Sequence, residues 1–133
     1  MNTKILMTVS AVLLGVLGIV VSFLPEEIMT YLNVESNPIT LLLLQLLSAF
    51  YLGFGILNWM AKGTIIGGIY NRPIAIGNLM HFGVGAIALI KIISRIQIGS
   101  ETIIVLTVSY VILGLCFAYV FFNNPSKVSD KKY

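Results

Sequence analysis

Residues 39–60 read ITLLLLQLLSAFYLGFGILNWM, a stretch without a single charged side chain. A helix of about 20 residues at 1.5 Å per residue reaches about 30 Å, the thickness of a bilayer's hydrocarbon core. The apolar residues run on without alternation, and barrel strands are about half this long, so a strand reading fails. Asn37-Pro38 opens the run, with the proline where a missing N–H costs nothing. The segment therefore predicts a membrane-spanning helix.

Three further runs flank it. Upstream, residues 5–24 end at Pro25; downstream, residues 74–93 follow Arg72-Pro73, and residues 102–122 are closed by Asn123-Asn124-Pro125. Of the 133 residues, 58% are apolar and 10% charged, with a mean hydropathy of +0.99. A soluble domain carries roughly 25% charged residues. The expected fold is all-α: a single antiparallel bundle of four transmembrane helices, with a polar tail over residues 123–133. The first run begins near Lys4 like a signal peptide, but its core is too long and SFLPEE offers no small-residue cleavage site, so it is expected to be a retained helix.

Orientation follows from the basic residues. With both termini inside, Lys4, Lys62, Arg72, Lys127, Lys131 and Lys132 are cytoplasmic and only Lys91 and Arg95 lie outside. That bias predicts a multi-pass protein of a bacterial-type plasma membrane with cytoplasmic termini. Lys91, in the last turn of its run, is placed to snorkel to the headgroups. Glu26, Glu27, Glu35 and Glu101 fall outside and Asp130 inside. The PEEIMTYLNVESN connection reads as an interfacial turn of helix, with Pro25 at its first position and two glutamates at its positive end. IIGGIY, in the inner connection, is apolar and fits a segment dipping into the interface.

Helices in lipid associate through close packing and interhelical hydrogen bonds. Small residues at helical spacing mark the expected contacts: Ala11, Gly15 and Gly18; Ala49 and Gly53; Gly77 and Gly85; Gly114. Polar residues inside the runs are more telling, because an amide or imidazole facing lipid has no partner. Ser48, Tyr51, Gly55 and Asn58 share one face of the second run, and Asn78, His81 and Gly85 one face of the third. With Asn71 and Arg72 at the mouth, the residues Asn58, Asn78, His81, Ser48, Tyr51, Asn71 and Arg72 form the candidate polar seam between these runs. Asn58, Asn78, His81, Asn71 and Arg72 are expected to cluster in the inner half. Thr8, Ser10 and Tyr119 are expected across from it. Two readings stand: a structural latch between helices, or a site touching a ligand, ion or lipid. Trp59 and Tyr70 read as interface-belt aromatics. Gln45, a lone amide on another face, suits a neighbouring subunit.

Several chemistries are disfavoured. No Asp or Glu lies within a run, as a proton-coupled exporter would require. One His and one Cys, His81 and Cys116, cannot make a structural zinc site, and no carboxylate stands near His81 in the sequence for nucleophilic catalysis. The basic residues form no stripe, so nucleic acid is not an expected partner. No metal and no cofactor is expected; the bilayer, and a second copy or a membrane partner protein, are the expected partners.

FLPEE after the first run, AFYLGFGILNWM in the second, an inner loop ending in arginine and GNLMHFGVGA in the third resemble the small bacterial four-helix membrane proteins that include the DoxX-like families. The resemblance covers nearly the whole chain. It implies a four-helix membrane fold and, through DoxX-type proteins, a link to quinone-dependent redox complexes and stress responses; it carries no catalytic motif. The expectation is a non-enzymatic accessory or binding module, with a homo-oligomeric channel or transporter, or a quinone- or haem-linked redox subunit, as alternatives.

Overall fold

The computed structural model describes residues 2–64, 66, 68–93, 95 and 100–123. The described chain is all-α: α1 (Thr3–Phe23), α2 (Pro25–Tyr31), α3 (Pro38–Ala61), a 3-10 turn (Ile69–Asn71), α4 (Arg72–Ile93) and α5 (Ser100–Phe122). Four of these helices, α1, α3, α4 and α5, are long and apolar enough to cross a membrane. Part of IIGGIY, at residues 65 and 67, and the tail after Asn123 fall outside the described residues.

Local chemistry sets the helix ends. Asn2 caps α1, its side-chain oxygen accepting from the amides of Lys4 and Ile5. Asn37 caps α3 in the same way, accepting from Ile39 at 3.1 Å and Thr40 at 2.9 Å. The α1–α2 corner falls at Leu24, whose ψ of 43° is not helical; a residue preceding proline is disfavoured in the helical region. Pro25 then starts α2, with Glu26 and Glu27 in its first turn. At the far end, Asn33 takes a φ of 53°. This lets Val34 N–H reach Met29 O and Asn33 N–H reach Thr30 O, a closure for which Asn is well suited.

The four long helices are arranged as two antiparallel pairs, α1 along α3 and α4 along α5. Within the first pair the backbones nearly touch: a Cβ added to Gly55 would sit 3.1 Å from Gly15 N and 3.3 Å from Ala11 O. In the second, Gly85 lies under the ring of Tyr110, and Gly114 approaches Gly83. The pairs meet through side chains. Met7 and Leu14 of α1, Phe82 of α4 and Phe117 of α5 are 0% exposed and fill the middle. Phe82 stacks on Phe117 at 5.7 Å. At the end of the bundle that carries α2, the hydroxyls of Tyr31 and Thr102 share a 3.0 Å hydrogen bond. At the opposite end Ile66 is buried, so this residue of the α3–α4 connection tucks into the bundle.

The expected contact at Ala49 and Gly53 is not there. Both are exposed, and a Cβ at Gly53 would meet nothing. The α3 face that meets α1 is set by Gly55 and by Leu52, which lies against Gly18. Gly53, two residues from Gly55, points well away from it.

Outward, the helices show an apolar surface: Val12, Val16 and Ile19 on α1, Leu42, Leu43 and Phe50 on α3, Met80, Val84 and Ile87 on α4, and Val105, Val108 and Leu115 on α5 are all exposed. A water-soluble monomer rarely shows contiguous apolar patches beyond a few hundred Å². Buried polar residues with apolar residues outside are the pattern that lipid as solvent imposes.

Candidate functional site

Asn58 of α3 and Asn78 of α4 are both 0% exposed. Each donates from its NH2 group to the other's carbonyl oxygen, at 2.7 Å in both directions. The second Asn58 hydrogen goes to Ser10 Oγ of α1 at 3.1 Å, and the second Asn78 hydrogen to Ile74 O at 3.0 Å. Ser10 passes its own proton to Met7 O. Every donor of the two amides is used and both carbonyls accept. This closed network ties α1, α3 and α4 together, and its three side chains are fully buried.

His81 belongs to a different arrangement. Asn78 and His81 are three residues apart, so their side chains leave the axis about 60° apart. The His81 imidazole turns away from the asparagines and lies among aromatics. Phe54 stacks on it at 4.9 Å, Tyr51 and Phe82 meet it edge-on at 5.8 and 5.0 Å, and Tyr110 of α5 tilts against it at 5.6 Å. The Tyr110 hydroxyl and His81 Nε2 share a 3.2 Å hydrogen bond. His81 is half-buried. Its other nitrogen, Nδ1, has no hydrogen-bond partner among the described residues, yet no buried side-chain nitrogen or oxygen there lacks one. Nδ1 is therefore not enclosed in the bundle, and it stands on the α4 ring that Phe54 and Tyr51 of α3 pack against.

The single inner cluster expected from the sequence is thus divided. Asn58 and Asn78 join with Ser10 toward the end of the bundle that carries the N-terminus. Tyr51 and His81 meet nearer mid-depth, with Tyr110 as a partner. Ser48 is buried but donates to Gln45 O of its own helix at 2.7 Å, about 15 Å along α3 from Asn58. Asn71 ends the 3-10 turn, half-buried. Arg72 is exposed, with its guanidinium 5.0 Å from the Phe121 ring. Thr8 bonds back to Lys4 O, and Tyr119 is exposed, so neither faces the seam. Trp59, near the end of α3, and Tyr70, just before α4, are exposed, and Lys62 lies over the Trp59 ring.

Tyr110 and Phe54 are the members that sequence reasoning missed. The fourth run is apolar on all sides, so no phase in the sequence marks Tyr110 as inward. Phe54 lies among other apolar residues in the sequence, and nothing there marks its ring as packing over Gly77 of α4.

These features define an all-α, polytopic membrane protein. Comparison with protein-family models, with curated proteins and with solved structures gives no match.

Proposed function

We propose that the protein is a non-enzymatic binding module of the plasma membrane. Its recognition group is the His81 imidazole, and its ligand is a lipid-soluble molecule carrying one hydrogen-bonding group. The observation that carries this reading is the division of labour at His81. Nε2 is held by Tyr110, the ring is clamped by Phe54, and Nδ1 is left without a partner at the seam between α3 and α4. His81 lies nine residues into α4, about 13 Å from its start and close to mid-bilayer. There a free ring nitrogen finds no water, and a guest with a donor or acceptor is the natural complement. The aromatics around it supply an apolar, shape-defined surface. The closed Asn58–Asn78–Ser10 network supports a structural latch beneath this site. The filled middle of the bundle favours binding over a water-filled path through one copy.

Three variants test it: His81→Leu, His81→Asn and His81→Gln. Native mass spectrometry of protein released from membranes should show a bound small molecule in the wild type and its loss in all three. Unfolding in detergent should show about 1 kcal/mol lost in His81→Leu, the worth of one interhelical bond, and less in the amide variants. A wild-type adduct pattern in His81→Leu would sink the binding role. Flux through proteoliposomes that disappears in the same variants would instead establish transport.

The proposed orientation has both termini in the cytoplasm, on the six-to-two division of the eight Lys and Arg residues. A reporter fused after Tyr133 should read as cytoplasmic and one inserted at Ser36 as external. The reverse pattern would invert the bundle and place the latch in the outer leaflet.

A further inference from the structure

Besides His81, Gln45 is a polar side chain of the described transmembrane surface that the monomer leaves without a partner. It lies seven residues into α3, about 10 Å from Pro38, so its amide sits inside the hydrocarbon layer. Its side chain is exposed and has no hydrogen-bond partner among the described residues; only its backbone carbonyl is engaged, by Ser48. This differs from every other amide in the spans. Asn58 and Asn78 satisfy each other inside the bundle. An unpaired amide in lipid costs several kcal/mol by transfer estimates, and in membranes such groups draw helices together.

The surroundings of Gln45 say what could reach it. Around α3 the exposed residues Leu42, Gln45, Ala49, Gly53, Ile56 and Met60 follow one another in steps of three and four. They form one stripe, turned away from both α1 and α4. In its middle a Cβ at Gly53 would meet nothing within 4 Å, so the backbone of α3 is open to close approach there. A side chain alone from a distant helix would meet Gln45 at the surface; a whole helix can come in against Ala49 and Gly53.

We infer that this stripe is a homodimer interface, in which α3 of one copy crosses α3 of a second and the two Gln45 amides hydrogen-bond to each other. The argument for a second copy rests on symmetry and on the chemistry of the amide. Two copies inserted with the same orientation are related by a two-fold axis along the membrane normal. Such an axis brings equivalent residues of the contacting helices to equal depth, so Gln45 meets Gln45. A carboxamide carries both a donor and an acceptor and is its own complement. No charged or metal-binding partner is needed, and each copy removes the other's unsatisfied group.

The test uses the full chain in lipid vesicles, in a Cys116→Ala background. Ala49→Cys should form disulfide-linked dimers with an added copper–phenanthroline oxidant, whereas Leu43→Cys, exposed on another side of α3, should not. Energy transfer between copies labelled at Ser36→Cys, followed as lipid is added, should show dissociation at about tenfold higher protein-to-lipid ratio for Gln45→Leu and near wild-type behaviour for Gln45→Asn. Gln45→Leu faces lipid and leaves the fold of the monomer intact, so its effect reads association alone. Equal crosslinking at residues 43 and 49, or an unchanged dissociation of Gln45→Leu, overturns the inference. So does a monomer at all dilutions, which would assign the stripe to lipid or to a different membrane protein.

Discussion

Asn58→Leu should lower the stability of the bundle by about 2 to 3 kcal/mol, the range for stranding a buried polar group. Leucine has nearly the shape of asparagine, so packing changes little. What is lost is the pair of 2.7 Å bonds with Asn78 and the 3.1 Å bond to Ser10. Asn78 is then left fully buried with a carbonyl and one N–H unsatisfied, in a place that neither water nor lipid headgroups reach. The decisive measurement is a double-mutant cycle in detergent with Asn58→Leu, Asn78→Leu and both together. Each single change strands one amide, while the double change strands neither. The double variant should therefore cost less than the sum of the singles, by about 1 to 2 kcal/mol. Additive losses would mean that the two amides do not act as one unit, and the latch would have to be abandoned.

Gly55→Leu should be the most damaging single change in the transmembrane region, costing about 3 kcal/mol by overpacking. A Cβ there already falls 3.1 Å from the backbone nitrogen of Gly15, and backbone cannot swing aside as a side chain can. The three remaining leucine carbons would force α1 away from α3. Gly85→Leu should be harmful for a related reason, since its neighbour is the Tyr110 ring, held in place by His81. Gly53→Leu and Leu43→Ala should leave the folded monomer almost unchanged, because both positions face outward. Thermal unfolding in dilute detergent, where copies are apart, compares all four. A Gly53→Leu variant as unstable as Gly55→Leu would contradict the assigned face of α3.

The two changes separate what holds the bundle together. Gly55 governs how closely helices approach within the α1–α3 pair. Asn58 governs how that pair is joined to α4. Neither contribution depends on hydrophobic burial, which has little force where the solvent is itself hydrocarbon. The proposed dimer would extend the same physics outward, with one unsatisfied Gln45 amide matched by another.

Much of this architecture is legible in one dimension. The length and continuity of the apolar runs determine four helices of membrane-crossing size, because hydrocarbon thickness sets helix length and an unpaired backbone is excluded from lipid. Pro25, Asn37 and Pro38 mark the helix starts through chemistry local to each end. That Asn58 and Asn78 turn inward agrees with the sequence, since lipid offers them no partner, whereas His81 is only half-buried and Gln45 faces outward. Tertiary structure alone decided the rest. Spacing places Ala49 and Gly53 on one face as well as it places Gly55, and only the packed bundle shows that Gly55 meets α1 while the others look outward. Asn78 and His81 share a broad helical face, yet the position of α5 gives His81 to Tyr110 and leaves Asn78 to Asn58. Helical periodicity defines directions around an axis and carries no information about which neighbour stands in each direction. In a chain apolar on nearly every side, the pairing of helices is set by the steric fit of glycines and the reach of a few polar groups, and these exist only once the helices have met.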